Sequence, residues 1–240
     1  MNKKYTHLFF DLDNTLWDFE TNARQAMFVA FGKFGIERQN VGFDHFFEVY
    51  SKHNLSLWLG YRNNTISKKN LIRQRFQMTF DELNISGIDP EVMNAFYLGE
   101  MAEQTCLKPG VNEILNFLKG KNYSMFIITN GFKEVQFKKM ENTGLDKFFQ
   151  KVFISEEIKV SKPGYEIFEY AIKSSNARKA NSLMIGDDWE TDILGAVGFG
   201  IDAVYIRPDD FEPQNNSPEK VISGKKVYFI KELNELRFIL

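Results

Sequence analysis

The stretch His7–Thr15, HLFFDLDNT, is an apolar run that stops at two carboxylates. A short apolar run bounded by polar residues predicts a buried strand. Asp11 and Asp13 would then follow the carboxyl end of that strand. Other apolar runs of this chain are also followed by polar side chains. The stretch therefore predicts the first of several strands that each end at polar residues.

From residue 105 onward, apolar runs alternate with helical segments. The runs lie at 124–128, 152–154, 183–185, 203–206 and 227–230, and the helical segments at 110–118, 132–142, 163–173, 191–197 and beyond 230. Strands that alternate with helices of this length predict right-handed βαβ units and a parallel sheet. The sequence therefore predicts an α/β fold with a Rossmann-like parallel sheet core.

Residues 18–103 show a different, purely helical pattern. Apolar residues recur there at the helical period, and we expect four helices. The N-caps of the last three would be Asp44, Ser67 and Asp89. The chain thus divides into a core of residues 1–17 and 104–240 and an all-helical domain of residues 18–103, inserted after the first strand.

Composition restricts the classes of function. The 30 Lys and Arg residues and 32 Asp and Glu residues give a net charge of −2, which argues against a nucleic-acid binder. A single cysteine, Cys106, excludes an internal disulfide. The apolar stretch Leu8–Phe10 is shorter than a signal peptide requires, and no run approaches the ~20 apolar residues of a membrane span. We expect a soluble cytoplasmic protein with no membrane, nucleic-acid or obligate protein partner.

Polar clusters follow four of the predicted strands. They are Asp11 with Asp13, Thr129-Asn130-Gly131, Lys162-Pro163, and Gly186-Asp187-Asp188 with Asp192. Ligands of an open parallel sheet bind beyond the carboxyl ends of its strands, so these clusters should converge on one edge. Alone, each cluster is typical of a turn, a helix cap or a solvated lysine. Together and in this order, they indicate a functional site.

The clustered carboxylates predict a cation site. They would repel one another at neutral pH unless a positive charge lay between them. Mg²⁺ is usually held by one or two carboxylates, substrate phosphate and water. An oxyanion would be bound by Lys162, Thr129 and the backbone amides near 12–15 and 130–131. A carboxylate nucleophile, a metal ion, an ammonium group and amides together point to phosphoryl transfer.

These motifs resemble those of the haloacid dehalogenase superfamily, in the same order along the chain. The matching segments are DLDNTL at 11–16, ITNG at 128–131, SKP at 161–163 and GDD at 186–188 with Asp192. The inserted helices resemble the helical cap of that superfamily. The pyrimidine 5′-nucleotidase branch of the YjjG type is similar in further segments, at 58–76, 127–132, 143–145 and 154–157.

The resemblance implies a role for each matching residue. Asp11 would be the nucleophile that forms an aspartyl-phosphate, and Asp13 would be the general acid and then the base. Asp11, Asp187 and the backbone carbonyl of Asp13 would hold Mg²⁺. The phosphoryl group would be contacted by Thr129, Asn130 and Lys162. Supporting positions would be Thr15, Asp188 and Asp192, with Asp192 bracing Lys162 or the loop.

The implied activity is an Mg²⁺-dependent 5′-nucleotidase for pyrimidine nucleoside monophosphates, with a small phosphorylated metabolite as its partner. A phosphatase for a small sugar phosphate or phosphoglycolate would use the same core. A 2-haloacid dehalogenase is disfavoured, because such enzymes generally lack an acid at the position of Asp13 and need no metal. A non-catalytic binding protein would not need both Asp11 and Asp13.

The residues that would contact the substrate base are the ones that the sequence defines least well. The candidates to stack on or hydrogen-bond a base are Trp17, Phe19, Trp58, Tyr61 and Arg62. Aromatic side chains serve mainly to fill cores, so packing between helices is the competing interpretation.

Overall fold

The computed structural model describes residues 4–206 and 218–240. The chain forms two compact units, Met1–Phe19 with Cys106–Leu240, and Glu20–Thr105. Each of the two boundaries predicted from the sequence lies two residues before the boundary between these units. Across the described ranges, no helix combines the length and the apolar composition needed to cross a membrane.

Within its described residues, the first unit contains a seven-stranded sheet. Its strands are β1 His7–Phe10, β2 Ser124–Thr129, β3 Lys151–Ile154, β4 Ser182–Gly186, β5 Asp202–Ile206, β6 Glu219–Ile222 and β7 Lys225–Ile230. Their order across the sheet is β3-β2-β1-β4-β5-β7-β6. Every neighbouring pair is parallel except β6 with β7, which is antiparallel. The predicted α/β fold with a parallel-dominated sheet is confirmed.

Strand β6 is absent from the sequence prediction. Its residues Glu219–Ile222 are largely exposed and form no apolar run. The strand is created by pairing with β7 across the turn at Ser223 and Gly224, which both have positive φ. A strand that depends on its neighbour's backbone groups leaves little trace in the hydrophobic pattern.

Helices connect the strands of the first unit. They are α5 Val111–Gly120, α6 Lys133–Thr143, α7 Ser155–Ile158, α8 Tyr165–Ser174 and α9 Gly195–Phe199, in the numbering that continues from the four helices of the second unit. The segment predicted as a helix at 191–197 is a π-helical turn, Trp189–Leu194, followed by α9. The predicted final helix is a 3₁₀ segment, Leu233–Phe238, since the last residues form only short-range turns.

The second unit is all-helical, as the sequence predicts. Its helices are α1 Phe19–Lys33, α2 Phe43–Arg62, α3 Lys68–Leu83 and α4 Pro90–Glu103. Ser67 and Asp89 are N-caps that accept backbone N–H groups, as predicted. Asp44 is not, because α2 begins at Phe43 with Gly42 as its N-cap. The Asp44 carboxylate lies in the first turn and forms an ion pair with Arg24.

Strand β1 lies between β2 and β4, and its register aligns the strand ends. Phe10 is opposite Ile127 of β2 and Ile185 of β4. Leu8, Phe9 and Phe10 are fully buried. The residues that follow each of the three strands therefore meet at one edge of the sheet, where Asp11 comes directly after Phe10.

Candidate active site

Lys162 and Asp11 meet at the carboxyl edge of the sheet. The Lys162 Nζ atom lies 2.5 Å from Asp11 Oδ1 and 2.6 Å from Asp192 Oδ1. All three side chains are buried. Burial by itself lowers the pKa of Lys162, but the carboxylates of Asp11 and Asp192 raise it above the usual lysine value, so the ammonium stays charged.

Asn130 fixes the backbone of Lys162. Its Nδ2 donates to the Lys162 carbonyl oxygen at 3.0 Å, and its Oδ1 accepts the Lys162 N–H at 2.9 Å. The sequence analysis places Asn130 among the substrate contacts. The side-chain amide is used to hold Lys162, and its contact with substrate stays a prediction.

Three carboxylates gather beside this ammonium group. Asp11, Asp187 and Asp192 each offer an oxygen, and these oxygens lie within 4.8 Å of one another. Burial raises the pKa of Asp11 well above its usual value, and the neighbouring carboxylates raise it further while Lys162 opposes them. Burial, aided by Asp192, raises the pKa of Asp187 to about 7. Such mutual repulsion favours a bound cation, and an all-oxygen donor set fits Mg²⁺.

Hydrogen bonds orient the members of this carboxylate group. The Thr15 hydroxyl donates to Asp187 Oδ1 at 3.0 Å. Asp192 Oδ2 accepts the backbone N–H of Asp188 at 3.2 Å. The Asp188 carboxylate caps the following turn, where it accepts the N–H groups of Glu190 and Thr191. The three supporting positions named from the sequence thus hold the loop after β4.

Gly186 makes the approach of Asp192 possible. A Cβ atom at Gly186 would lie 2.2 Å from Asp192 Oδ2 and 2.6 Å from Asp192 Cβ. No real Cβ tolerates such distances, so the glycine ending β4 is a packing requirement of the site rather than a simple turn residue.

Thr129 ends β2 with its hydroxyl held by two donors. Its Oγ1 accepts the Gly131 N–H at 3.1 Å and the Gln136 Nε2 group at 2.7 Å. Because both lone pairs accept, the hydroxyl hydrogen is left to donate. A phosphoryl oxygen is a suitable acceptor for it.

The Asp13 carboxylate contacts helix α6. Gln136 Nε2 donates to Asp13 Oδ2 at 2.8 Å, and Lys139 Nζ donates to Asp13 Oδ1 at 2.7 Å. Burial lowers the pKa of Lys139, while Asp13 opposes that shift. The two carboxylates of the first motif therefore have separate partners, Lys162 for Asp11 and Lys139 for Asp13.

Gln136 and Lys139 are missing from the sequence prediction. The signal for them is their place on α6, where they share the buried face with Val135 and Met140. A glutamine and a lysine at positions where the period requires apolar residues indicate polar partners inside the fold.

The aromatic candidates are placed in both units. Trp17 is fully buried, and the Lys139 ammonium lies 3.8 Å from its ring centroid, so that face of the ring is not free for a base. Trp58 and Tyr61 of α2 are half-buried and contact each other edge to face. Their stacking on a substrate stays a prediction.

Residues 5–200 match the family model of the haloacid dehalogenase-like hydrolases. The chain belongs to this family. The predicted family is thereby confirmed.

Individual relatives cover nearly the whole hydrolase. The pyrimidine 5′-nucleotidase YjjG of Escherichia coli is 33% identical over 97% of this chain and 98% of its own. The pyrimidine 5′-nucleotidase PynA of Streptococcus pneumoniae is 29% identical over 87% of this chain and 86% of its own. The solved structure of the HAD-hydrolase YfnB of Bacillus subtilis, bound to magnesium, has a TM-score of 0.84 and is 26% identical, with 99% of each chain covered.

Proposed function

We propose that this hydrolase removes phosphate from pyrimidine nucleoside monophosphates through an aspartyl-phosphate on Asp11. The observation that carries the proposal is the separation of two neighbouring carboxyl groups. Asp11 contacts Lys162 and lies beside the other clustered carboxylates, whereas Asp13 accepts hydrogen bonds from polar side chains of α6. One carboxylate can therefore attack phosphorus while the other handles the proton.

The first half-reaction forms the covalent intermediate. A carboxylate oxygen of Asp11 attacks the phosphorus atom, and the bond between phosphorus and the ester oxygen breaks. The departing nucleoside oxygen takes a proton from the Asp13 carboxyl group, which becomes a carboxylate. Lys162, with its charge secured by its two carboxylate neighbours, offsets the negative charge on the phosphoryl oxygens.

The second half-reaction restores the enzyme. The Asp13 carboxylate takes a proton from water, and the water oxygen attacks phosphorus. The bond between phosphorus and the Asp11 oxygen breaks, which releases phosphate and returns Asp11 as a carboxylate. Asp13 is protonated again, so one phosphate ester and one water have become one alcohol and one phosphate.

Mg²⁺ fits the donor set of the site. Asp11, Asp187 and the backbone carbonyl of Asp13 would hold it, where it would offset the charge of the phosphoryl oxygens and of the carboxylates. The Thr129 hydroxyl would donate to a phosphoryl oxygen, since its two lone pairs already accept. Thr129 thus helps to orient the phosphoryl group toward Asp11.

The names of the relatives support a phosphoric monoester hydrolase, and those of YjjG and PynA support pyrimidine nucleotides as the substrate class. Trp58, Tyr61 and Arg62 at the end of α2 are our candidates for contacts with the base. We also propose a cytoplasmic location, since a chain with one exposed cysteine suits a reducing compartment.

A substrate panel tests the proposal. Phosphate release would be measured from UMP, dUMP, dTMP, AMP and phosphoglycolate, with Mg²⁺ and with excess chelator, for the wild type and Asp11→Asn. We expect metal-dependent release that favours the pyrimidine nucleotides and is lost in the variant. A preference for phosphoglycolate would overturn the nucleotidase assignment but keep the core chemistry. Full turnover by Asp11→Asn would overturn the nucleophile assignment.

A further inference from the structure

Both carboxylate oxygens of Asp13 are held by one helix. Lys139 donates to Oδ1 and Gln136 donates to Oδ2, and the two donors are three residues apart on α6. Residues at this spacing lie on the same face of a helix, so both can donate hydrogen bonds to one carboxyl group. Asp13 itself lies on a short turn in which Asn14 has a φ of 62° and donates its N–H to the Trp17 carbonyl.

Lys139 is an unusual residue for a helix interior. It is 2% exposed, and a buried ammonium is costly unless it is paired. The Asp13 carboxylate provides that pairing, and the ring of Trp17 covers the ammonium at 3.8 Å from its centroid. Packed in this way, the lysine has little freedom to move, and it fixes the direction of the Asp13 carboxyl group.

The contacts on Asp13 leave one side of it open. The Asp13 side chain is 26% exposed, against 3% for the side chain of Lys139. The donors therefore belong to buried side chains, whereas the Asp13 side chain keeps an exposed part at which a leaving oxygen or a water molecule can approach. A restrained but accessible acid is what general acid–base chemistry requires.

Gln136 connects this restraint to the phosphoryl-binding side of the site. The same Nε2 group donates to Asp13 Oδ2 and to the Thr129 hydroxyl oxygen. Gly131 provides the space, since a Cβ atom there would lie 2.2 Å from Gln136 Nε2. The positions of the acid and of the Thr129 hydroxyl are thus set by one amide group.

We propose that Lys139 and Gln136 are positioning residues that hold the Asp13 carboxyl group for both proton transfers. The inference rests on the proposed function, in which Asp13 is the general acid and base. Neither residue needs to touch the substrate. Their loss should slow the steps that use Asp13 and leave the attack by Asp11 on a substrate with a good leaving group intact.

Burst kinetics with p-nitrophenyl phosphate separate these steps. Its leaving group departs as an anion and needs no acid, whereas hydrolysis of the aspartyl-phosphate still needs Asp13 as base. The variants are Lys139→Met and Gln136→Met, with Lys139→Arg as the conservative change and Lys138→Met, an exposed neighbour on α6, as the control. Asp13→Asn is the reference for complete loss of the acid, and thermal unfolding checks that each variant folds.

For Lys139→Met and Gln136→Met we expect a burst of p-nitrophenolate approaching one per active site, followed by steady turnover slowed between about 10- and 100-fold, within the range of general acid–base catalysis. Lys139→Arg should recover part of that turnover, and Lys138→Met should match the wild type. Loss of the burst together with turnover, or unchanged kinetics in both methionine variants, would overturn the inference. A wild type without metal-dependent turnover would instead count against the proposed function.

Discussion

The ammonium nitrogen of Lys162 lies 2.5 Å from Asp11 Oδ1, although 151 residues separate the two in sequence. Asp11 directly follows strand β1, and the loop between α7 and α8 provides Lys162, whose backbone is held by Asn130. The same nitrogen contacts Asp192, so one ammonium group forms ion pairs with two buried carboxylates. The charge balance of the whole site depends on this lysine.

Replacement of Lys162 should therefore destabilise the metal-free protein as well as stop turnover. Removing one partner of a buried ion pair leaves an uncompensated charge and costs about 3–5 kcal/mol. We expect a loss of that size in the free energy of unfolding of Lys162→Met, measured by denaturant titration in the presence of chelator.

A matched control for Lys162→Met is Lys173→Met. Lys173 forms an exposed pair with Glu169 on α8, and its side chain is 72% exposed. Exposed pairs contribute about 0–1 kcal/mol. Equal losses in the two variants would contradict the view that the buried Lys162 balances the carboxylates.

Mg²⁺ should stabilise the protein more at alkaline than at acidic pH. Burial raises the pKa of Asp187 to about 7, whereas the pKa of an Asp side chain in the unfolded protein is about 3.9. Between these values the folded, metal-free protein binds more protons than the unfolded chain, so its free energy of unfolding falls as pH rises. Metal binding needs the ionised carboxylate, so the cation has to displace protons at low pH.

The measurement is the rise in Tm caused by Mg²⁺, at about pH 5 and about pH 8, on either side of the Asp187 transition. We expect the larger rise at the higher pH. Asp187→Asn should lose most of the rise, and Asp146→Asn, which changes an exposed carboxylate, should keep it. A rise of the same size at both pH values would contradict the assignment of these carboxylates to the cation.

Gly131→Ala should impair turnover. The new Cβ atom would displace the flexible end of Gln136, which then loses its contacts with Asp13 and Thr129. We expect turnover to fall at least about 10-fold, as part of the general acid–base contribution. Gly198→Ala in α9 meets no atom within 4 Å and should leave turnover unchanged. Wild-type turnover in Gly131→Ala would contradict the role given to Gln136.

Strand ends explain why much of the site was predictable. Asp11, Thr129 and Asp187 each follow an apolar run, and the topology of a parallel sheet brings such positions together without any knowledge of side-chain contacts. Lys162 follows β3 less closely, after the short helix α7, but its cluster was predicted at the same edge by the same argument. The sheet itself was predictable because its central strands are continuous apolar runs.

Helix faces and edges explain what was missed. Gln136 and Lys139 occupy positions of α6 where the helical period favours apolar residues, but the period does not say which partners a polar residue there would have. The N-cap at Asp44 was wrong, because the helix begins after Gly42 and a carboxylate in the first turn resembles one at the cap. Strand β6 depends on its pairing with β7, which no local pattern records.

Direct detection of the phosphorylated side chain tests the central claim. Asp13→Asn would be mixed with p-nitrophenyl phosphate and Mg²⁺ and quenched in acid, and the peptides would be analysed by mass spectrometry. Because this variant forms the intermediate without an acid but lacks the base to hydrolyse it, we predict one phosphoryl group, located on Asp11. Release of p-nitrophenolate with no phosphoryl group on Asp11, or with the group on another residue, would contradict the account.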